Sequence, residues 1–441
     1  MTNGPELPPA PPTTTPRPSL SRGVAQVALG NGLFNLGRIA VIALLAKFTT
    51  PQFVGEFHAA AAWSTPIILF LGLELRAVLI SDAGGQFSFG VYRALRTLGL
   101  GLALLILTAE TARQALHDHL PAHVILLIVA VWAGRVALAW VEVFWGLFQK
   151  QERLGRMGLS NALRGIAIFL PVLITLLVLR YALHVTDPDT FARAAALAFA
   201  VHVVLWIAIG WFLDRPATLN QPAAKSDWNS KALRDLTLQA VPLGLVAVIV
   251  SLCDNVPRLI IDRQPGGTAA LGFFGTLAQL PLLAQFLMVQ VGTASSNRLA
   301  VYRFSDPPRF RRLLLRLTLV AAGLAATLFA AGWLAGPWLL RMLFTPDYAR
   351  YAPEFIIMIA AQCVILFASI FGFVATQMRL FWQQVPIQLA VLASTWIAAV
   401  WLIPGDPVRG GAWTMLVRAI VHSTLYGVCI LIGLRRTAPA K

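Results

Sequence analysis

The chain has 441 residues, of which 58% are hydrophobic and only 12% are charged, and its mean hydropathy is +0.72. Soluble domains carry about 25% charged residues, and a single hydrophobic core stops growing near about 250–300 residues, so this composition excludes a soluble protein. The formal net charge of +16 lies mostly in gaps between apolar stretches. There it sets the orientation of membrane spans and meets anionic lipid headgroups, so we expect membrane lipids and no nucleic acid as partners.

The chain begins with a polar segment. Residues 1–22 are rich in Pro and Thr and predict a disordered tail rather than a signal peptide. A membrane span needs about 20 mostly apolar residues. Stretches of this kind predict spans at 24–47, 52–80, 88–110, 122–148, 158–181, 191–213, 235–261, 268–296, 312–340, 353–378, 383–403 and 411–434.

The predicted spans fall into two groups of six. The polar segment 214–234 separates them and predicts a linker. The expected domains are therefore an N-terminal lobe at 23–213, a C-terminal lobe at 235–434 and a short tail at 435–441. If both termini are cytoplasmic, 22 Lys and Arg residues lie on the inside and 9 on the outside. This bias predicts a cytoplasmic location for both termini, the linker and both tails.

The two halves resemble each other in sequence. The first span contains Asn35-Leu36-Gly37-Arg38, and the seventh contains Asn255-Val256-Pro257-Arg258. A Gly-x-Phe segment and then Pro66 or Pro281 follow in each half. Six spans per half give both halves the same orientation, which predicts a parallel repeat about a pseudo-two-fold axis along the membrane normal. In membrane proteins built this way a ligand site lies between the repeats.

Ionisable residues inside the spans are candidates for a site, because burying each costs about 2.5–3.5 kcal/mol on insertion scales. Arg38, Arg135 and Arg418 are predicted to lie deepest, and they would favour an anionic ligand. Arg258 lies nearer a span end. Helix–helix pairing, for example of Arg135 with Glu142, is an equally plausible interpretation of these charges.

Two acids could titrate as an ion-coupling site, Asp254 and Glu142. An equally good interpretation makes them structural partners of the arginines. His117, His119 and His123 form a cluster whose spacing could hold a metal, but in a polar outer loop we expect solvated side chains and no metal. The chain lacks a Gly-rich phosphate loop ending in Gly-Lys-Ser/Thr, so we expect no bound cofactor and no ATPase.

Four segments carry a resemblance to the polysaccharide (O-antigen type) flippases of the multidrug/oligosaccharidyl-lipid/polysaccharide exporter superfamily. It spans about residues 24–434. The segments are Glu74-Leu75-Arg76 with Ser81-Asp82 and Tyr92-Arg93; Glu142 with Trp145–Arg153, Ser160 and Arg164-Gly165; Asn255–Asp262 leading into Leu271–Phe274; and Tyr348–Pro353.

This resemblance implies a secondary transporter of the bacterial cytoplasmic (inner) membrane, not an enzyme. Its substrate would be an undecaprenyl-pyrophosphate-linked oligosaccharide, moved to the outer leaflet through a cavity that opens alternately to each side. Other glycan assembly proteins would be possible partners. The implied substrate-binding residues are Arg38 and Arg258 with Asn35 and Asn255, and Arg76 also falls on a matched segment. Arg135 and Arg418 join them on the argument from burial.

Two alternatives stay open from sequence. A multidrug exporter of the same superfamily would be expected to carry an acid in the first lobe to attract cationic drugs, whereas the first span here carries Arg38. A membrane-embedded glycan polymerase or acyltransferase would need a base or nucleophile cluster at the membrane face. The histidines at 117–123 are the available group for that.

Overall fold

The chain forms an all-helical membrane protein. The computed structural model describes residues 20–82, 85–151, 153–215, 227–377 and 381–436, and twelve helical segments among them are long and apolar enough to cross a membrane. The helices are α1 (Leu20–Phe48), α2 (Pro51–Gly72), α3 (Leu75–Ser81), α4 (Phe89–His117), α5 (Ala122–Lys150), α6 (Leu154–Leu177), α7 (Pro188–Ile209), α8 (Ser230–Asp262), α9 (Gly267–Gln279), α10 (Leu282–Ser305), α11 (Pro307–Leu343), α12 (Pro346–Ala349), α13 (Ala352–Gln377), α14 (Phe381–Leu402) and α15 (Pro407–Arg436).

The predicted all-α class with twelve spans is confirmed. Two pairs of helices, α2 with α3 and α9 with α10, each form one span, and α12 is a single turn between spans. The domain boundaries stay a prediction. Most of the predicted tails and residues 216–226 of the predicted linker lie outside the described residues.

The helices pack as two lobes with the same internal arrangement, α1–α7 and α8–α15. In the first lobe α1 packs on α6, α4 on α5, and α7 on both α5 and α6. In the second lobe α8 packs on α14, α11 on α13, and α15 on both α13 and α14. The same pairs recur in the same chain order, as the parallel repeat predicts.

The second span of each lobe is broken. Between α2 and α3 the backbone of Leu73 and Glu74 is left-handed, with φ of 53° and 47°, a conformation that costs a non-glycine residue about 1–2 kcal/mol. Between α9 and α10 the break falls at Leu280 and Pro281. A proline removes a backbone donor and crowds the preceding turn. Pro66, the sequence counterpart of Pro281, instead lies inside the continuous helix α2, so the two prolines match in order but not in effect.

The lobes meet along α2, which contacts both α8 and α9. At the predicted outer end, a Cβ on Gly55 would meet the backbone oxygen of Thr268, and one on Gly272 would meet that of Pro51. Only glycine allows backbones to approach this closely. At the other end of α2, Gly244 of α8 packs against Leu73 at the helix break. The space between the lobes lies between these two contacts.

Candidate functional site: a cationic cavity between the lobes

A cavity of about 600 Å³ occupies the space between the lobes. Helices of both lobes line it, chiefly α1, α2, α5 and α8, with α15 closing one side. Its charged lining consists of four arginines and two carboxylates: Arg38, Arg135, Arg258, Arg418, Glu74 and Asp254. The excess of cations makes this a site for an anion, because low-dielectric walls strengthen the field of the guanidinium groups.

The repeated Asn-x-x-Arg segments occupy equivalent places in the two lobes. Asn35 on α1 donates its Nδ2–H to the carbonyl of Asn31 at 2.9 Å, and Asn255 on α8 donates to the carbonyl of Ser251 at 2.9 Å. Each bond spans one helical turn and holds the amide at the cavity wall. In the second lobe Arg258 also donates to Oδ1 of Asn255 at 3.2 Å. The repeat therefore places one arginine from each lobe on opposite walls of one cavity.

The four arginines differ in their partners. Arg418 of α15 is ion-paired with Asp254 of α8, whose side chain is 52% exposed. Arg38 and Arg135 have no carboxylate within 4.0 Å among the residues that the structure describes. The nearest aromatic partner of Arg38 is the ring of Phe34, whose centroid is 5.9 Å from Cζ. Arg258 of α8 likewise has no direct ion pair among these residues and bonds the neutral Asn255. Of the four cavity arginines in the described chain, Arg418 is therefore the one that a direct ion pair neutralises.

A smaller side chamber of about 180 Å³ lies beside the cavity, under the break between α2 and α3. Its charged lining is Glu74, Glu142, Arg96 and Arg135. Glu74 and Arg135 line both spaces. Glu142 lines the side chamber and is not among the residues that line the cavity. A direct Arg135–Glu142 ion pair, one of the two interpretations of these charges, is not found in the described part of the chain.

Arg76 lies apart from these spaces. Its Nη2 donates to Oε1 of Gln149 at 3.1 Å, and its Cζ lies 5.9 Å from the ring centroid of Trp145. The described residues that line the cavity do not include Arg76. No ion pair joins Arg76 to Glu74 among the described residues.

The burial of two arginines was missed, because the sequence analysis counted Arg96 and Arg164 among the 22 Lys and Arg residues on the cytoplasmic side. Arg96 is 3% exposed on α4, and Arg164 of α6 is fully buried. Arg164 is ion-paired at 3.1 Å with the equally buried Asp214, in the π-helical turn that extends α7. No local pattern marks either residue, because both lie near predicted span ends where arginine is common. Asp214 was expected to open the linker.

His58 was also missed. It is 1% exposed on α2, lines the cavity, and its Nε2 atom has no hydrogen-bond partner in the described residues. The histidines of the outer loop do not converge: His117 contacts Asp118 at 2.8 Å, while the ring of His123 stacks on Phe53. The described residues contain no group of three His, Cys, Asp or Glu side chains placed to hold a metal.

Comparison with known proteins gives one distant relative by sequence. No family model matches the chain. The "Capsular polysaccharide biosynthesis protein CapF" of Staphylococcus aureus is 21% identical over 401 residues, covering 90% of this chain and 96% of the relative. The chain is therefore distantly similar to the capsule protein over nearly the whole length of both.

Solved structures show the fold. The inward-facing conformation of a multidrug resistance MATE family transporter of the MOP superfamily aligns with a TM-score of 0.66 at 12% identity, covering 94% of this chain and 98% of that one. A MOP superfamily transporter from Pyrococcus furiosus, reported for the reverse polarity of its binding pocket, aligns with a TM-score of 0.63 at 14% identity, covering 96% and 97%. The protein is therefore a multi-pass membrane protein with the fold of the MOP superfamily transporters.

Proposed function

We propose that the protein is a flippase for a lipid-linked oligosaccharide in surface polysaccharide biosynthesis. Its substrate is an undecaprenyl-pyrophosphate-linked glycan, carried from the cytoplasmic to the outer leaflet of the bacterial inner membrane, with both protein termini in the cytoplasm. The observation that carries this proposal is the cavity between the lobes, with its four guanidinium groups against two carboxylates. Similarity to a protein described by its role in capsular polysaccharide biosynthesis supports it.

The chemistry of the substrate explains why such a cavity is needed. A pyrophosphate–sugar headgroup cannot enter hydrocarbon, because its charges and hydroxyl groups would lose their hydrogen bonds to water. A cavity lined by arginines replaces that water with charge-assisted bonds from planar guanidinium forks. The prenyl tail can stay in the lipid while the headgroup passes between the lobes.

The partners of the arginines suggest different roles within this site. Arg38 and Arg135 have no direct carboxylate partner among the described residues, so they are placed to meet the pyrophosphate. Arg258 and the neutralised Arg418 face them from the second lobe, and Asn35 and Asn255 can bond phosphate or sugar oxygens. Arg76 lies outside the cavity, so we leave it out of the proposed headgroup site.

A second candidate is a multidrug exporter, since a structurally similar protein is a multidrug resistance transporter. The net charge of the cavity argues against export of cationic drugs, because four arginines line it against two carboxylates, Glu74 and Asp254. Structurally similar proteins are transporters rather than enzymes, which favours transport over a polymerase or acyltransferase.

The test is the sidedness of the lipid-linked glycan in cells depleted of the protein. The proposal predicts accumulation on the cytoplasmic face, reversed by the wild-type chain. An unchanged glycan distribution together with a new sensitivity to drugs would favour the exporter. Normal translocation with unpolymerised or unmodified units outside would favour an enzyme.

A further inference from the structure

Four arginines lie close together at the start of α11, a helix that does not line the cavity. They are Arg309, Arg311, Arg312 and Arg316, and all four side chains are exposed. Asp306, the residue before the helix, forms an ion pair of 2.9 Å with Arg309. The other three arginines have no carboxylate within 4.0 Å among the described residues. Three guanidinium groups are therefore open to an anion from outside the protein.

The start of a helix is an unfavourable place for unpaired cations. The N-terminal end of a helix carries partial positive charge, which favours anions and repels cations. Arg312 and Arg316 are also one helical turn apart, where like charges repel each other. The carboxylate of Asp306 already caps the helix, because it accepts the backbone N–H of Arg309 at 3.0 Å. A bound anion would relieve the repulsion that remains among the other three arginines.

The same face of α11 is apolar beyond the arginines. Leu315 and Leu319 follow Arg311 at intervals of four residues, and they are 58% and 60% exposed. Val320 follows Arg316 at the same interval and is 48% exposed. Residues four apart lie one above the other on a helix, and exposed apolar side chains of a membrane-spanning helix face lipid. The guanidinium groups and the lipid-facing side chains therefore form one continuous surface.

The length of α11 places its arginines in the headgroup layer. Near the other end of the helix Trp333 and Trp338 are 62% and 63% exposed, and exposed tryptophans are typical of the membrane–water interface. Trp338 stands about 33 Å along the helix from Arg316, and the hydrocarbon core is about 30 Å thick. Arg316 therefore lies at the opposite interface. Arg311 and Arg312 lie about 6–8 Å farther out, within a headgroup region about 5–8 Å thick.

The corresponding helix of the first lobe uses its arginine differently. The helix α4 is the third span of its lobe, as α11 is of the second. Its Arg96 is 3% exposed and lines the side chamber, so this charge faces the protein interior. The repeated fold therefore does not require outward-facing arginines at this place, and the exposed cluster is a property of the sequence of α11.

We propose that the lipid-facing side of α11 is a binding site for an anionic phospholipid. The phosphate lies among the guanidinium groups of Arg311, Arg312 and Arg316, whose planar forks match phosphate oxygens. The acyl chains lie along Leu315 and Leu319 toward the middle of the membrane. A phospholipid fits better than an acidic soluble protein, because the charges lie at the depth of lipid phosphates and continue into an apolar surface. In the predicted orientation the site faces the cytoplasmic leaflet, and it does not depend on the proposed function.

The first test is native mass spectrometry of the purified full-length protein titrated with phosphatidylglycerol. The wild type should bind one molecule more tightly than any further one, and more tightly than phosphatidylcholine, whose choline offsets the phosphate charge. The triple variant Arg311→Gln, Arg312→Gln, Arg316→Gln should bind that molecule on the order of 100-fold more weakly, because each arginine near an anionic lipid contributes about fivefold in affinity. Lysine at the same three positions should keep most of the affinity, because the charge remains.

A matched control removes the same charge elsewhere. Arg263, Arg341 and Arg409 are exposed and lie at helix ends on the predicted outer side. Replacing all three by glutamine should leave the affinity for phosphatidylglycerol at the wild-type value. Equal losses in the two triple variants, or equal affinity of the wild type for the two phospholipids, would overturn the proposal.

The second test locates the lipid on the wild-type protein. Phosphatidylglycerol with a photoreactive group in its acyl chain, in nanodiscs of phosphatidylcholine, should label α11 between Leu315 and Gly323. Unlabelled phosphatidylglycerol should reduce this labelling, and excess inorganic phosphate should not, because it lacks acyl chains. Labelling no stronger than that by photoreactive phosphatidylcholine, or displacement by inorganic phosphate, would overturn the proposal. Displacement by undecaprenyl pyrophosphate and not by phosphatidylglycerol would also overturn it, and would make this face a docking site for the transported lipid.

Discussion

Arg418 and Asp254 form an ion pair across the C-lobe wall of the cavity, joining α15 to α8. The N-lobe arginines that face them have no such partner in the described residues. Among the cavity arginines of the described chain, Arg418 is thus neutralised by a direct ion pair, while Arg38, Arg135 and Arg258 are not. This difference in pairing predicts which substitutions strengthen anion binding and which weaken it.

Asp254→Asn should strengthen anion binding, because it frees the guanidinium of Arg418. The side chain of Asp254 is 52% exposed, and pairs this exposed contribute about 0.2–1 kcal/mol. The gain in pyrophosphate affinity, measured on the purified protein, should therefore be up to about fivefold. Asp347→Asn, which breaks an exposed pair with Arg350 away from the cavity, is the matched control. Weaker binding by Asp254→Asn would show that the pair is needed to hold Arg418 in place.

Neutralising Arg38 or Arg135 should weaken anion binding, and by more than Asp254→Asn strengthens it. Arg38→Gln and Arg135→Gln each remove a charge-assisted contact of about 1.5–3 kcal/mol, so pyrophosphate affinity should fall about 10- to 100-fold. Lysine at either position should restore part of the binding, because it keeps the charge but loses the fork. The exposed Arg341 supplies a control, Arg341→Gln, with wild-type affinity. Equal losses in control and cavity variants would mean that the effect is one of overall charge.

We expect the Arg164–Asp214 ion pair to contribute to the stability of the protein rather than to transport. Both side chains are fully buried, and removing one partner of a buried pair costs about 3–5 kcal/mol. Asp214→Asn should lower the thermal stability of the detergent-solubilised protein strongly. The double variant Arg164→Met with Asp214→Leu should recover much of it, because no unpaired charge remains. If Asp214→Asn were as stable as the wild type, the pair would not hold α6 to the end of α7.

The contact of Gly55 with the backbone of Thr268 predicts that a larger side chain at position 55 changes access to the cavity from outside. Gly55→Val should prevent α2 from closing on α9, because a side chain there meets the backbone of Thr268. The measurement is labelling of a cysteine placed at Ser251, in the cavity wall, by a membrane-impermeant reagent added outside to a chain without native cysteines. Labelling should rise in Gly55→Val and stay at the wild-type level in Gly101→Val, where the added side chain meets open space. Equal labelling in all three proteins would show that this contact does not close the cavity.

Sequence predicted the fold well because membrane spans are set by length and apolarity, which are local properties. The Asn-x-x-Arg repeat was equally readable, and the structure places Arg38 and Arg258 in one cavity as the repeat implies. The ion pairs among the buried charged residues could not be predicted from the sequence. Whether Arg135 pairs with Glu142 depends on the direction of the two side chains. The helix break at Leu73 and Glu74 was not predicted either, because neither position holds a proline or a glycine.

The burial of Arg96 and Arg164 could not be predicted for a different reason. Near span ends an arginine is normally a snorkelling or orienting residue, and only tertiary packing separates those from a buried charge.

The most direct test of the central claim is translocation by the purified protein in proteoliposomes. A labelled undecaprenyl-pyrophosphate oligosaccharide is placed in one leaflet, and its appearance in the other is followed with an impermeant glycan-modifying enzyme. The account predicts translocation by the wild type, none by folded Arg38→Glu or Arg135→Glu, and wild-type rates for Arg341→Glu. Translocation that persists in both cavity variants, or a wild-type protein that moves cationic dyes and no glycan lipid, would contradict it.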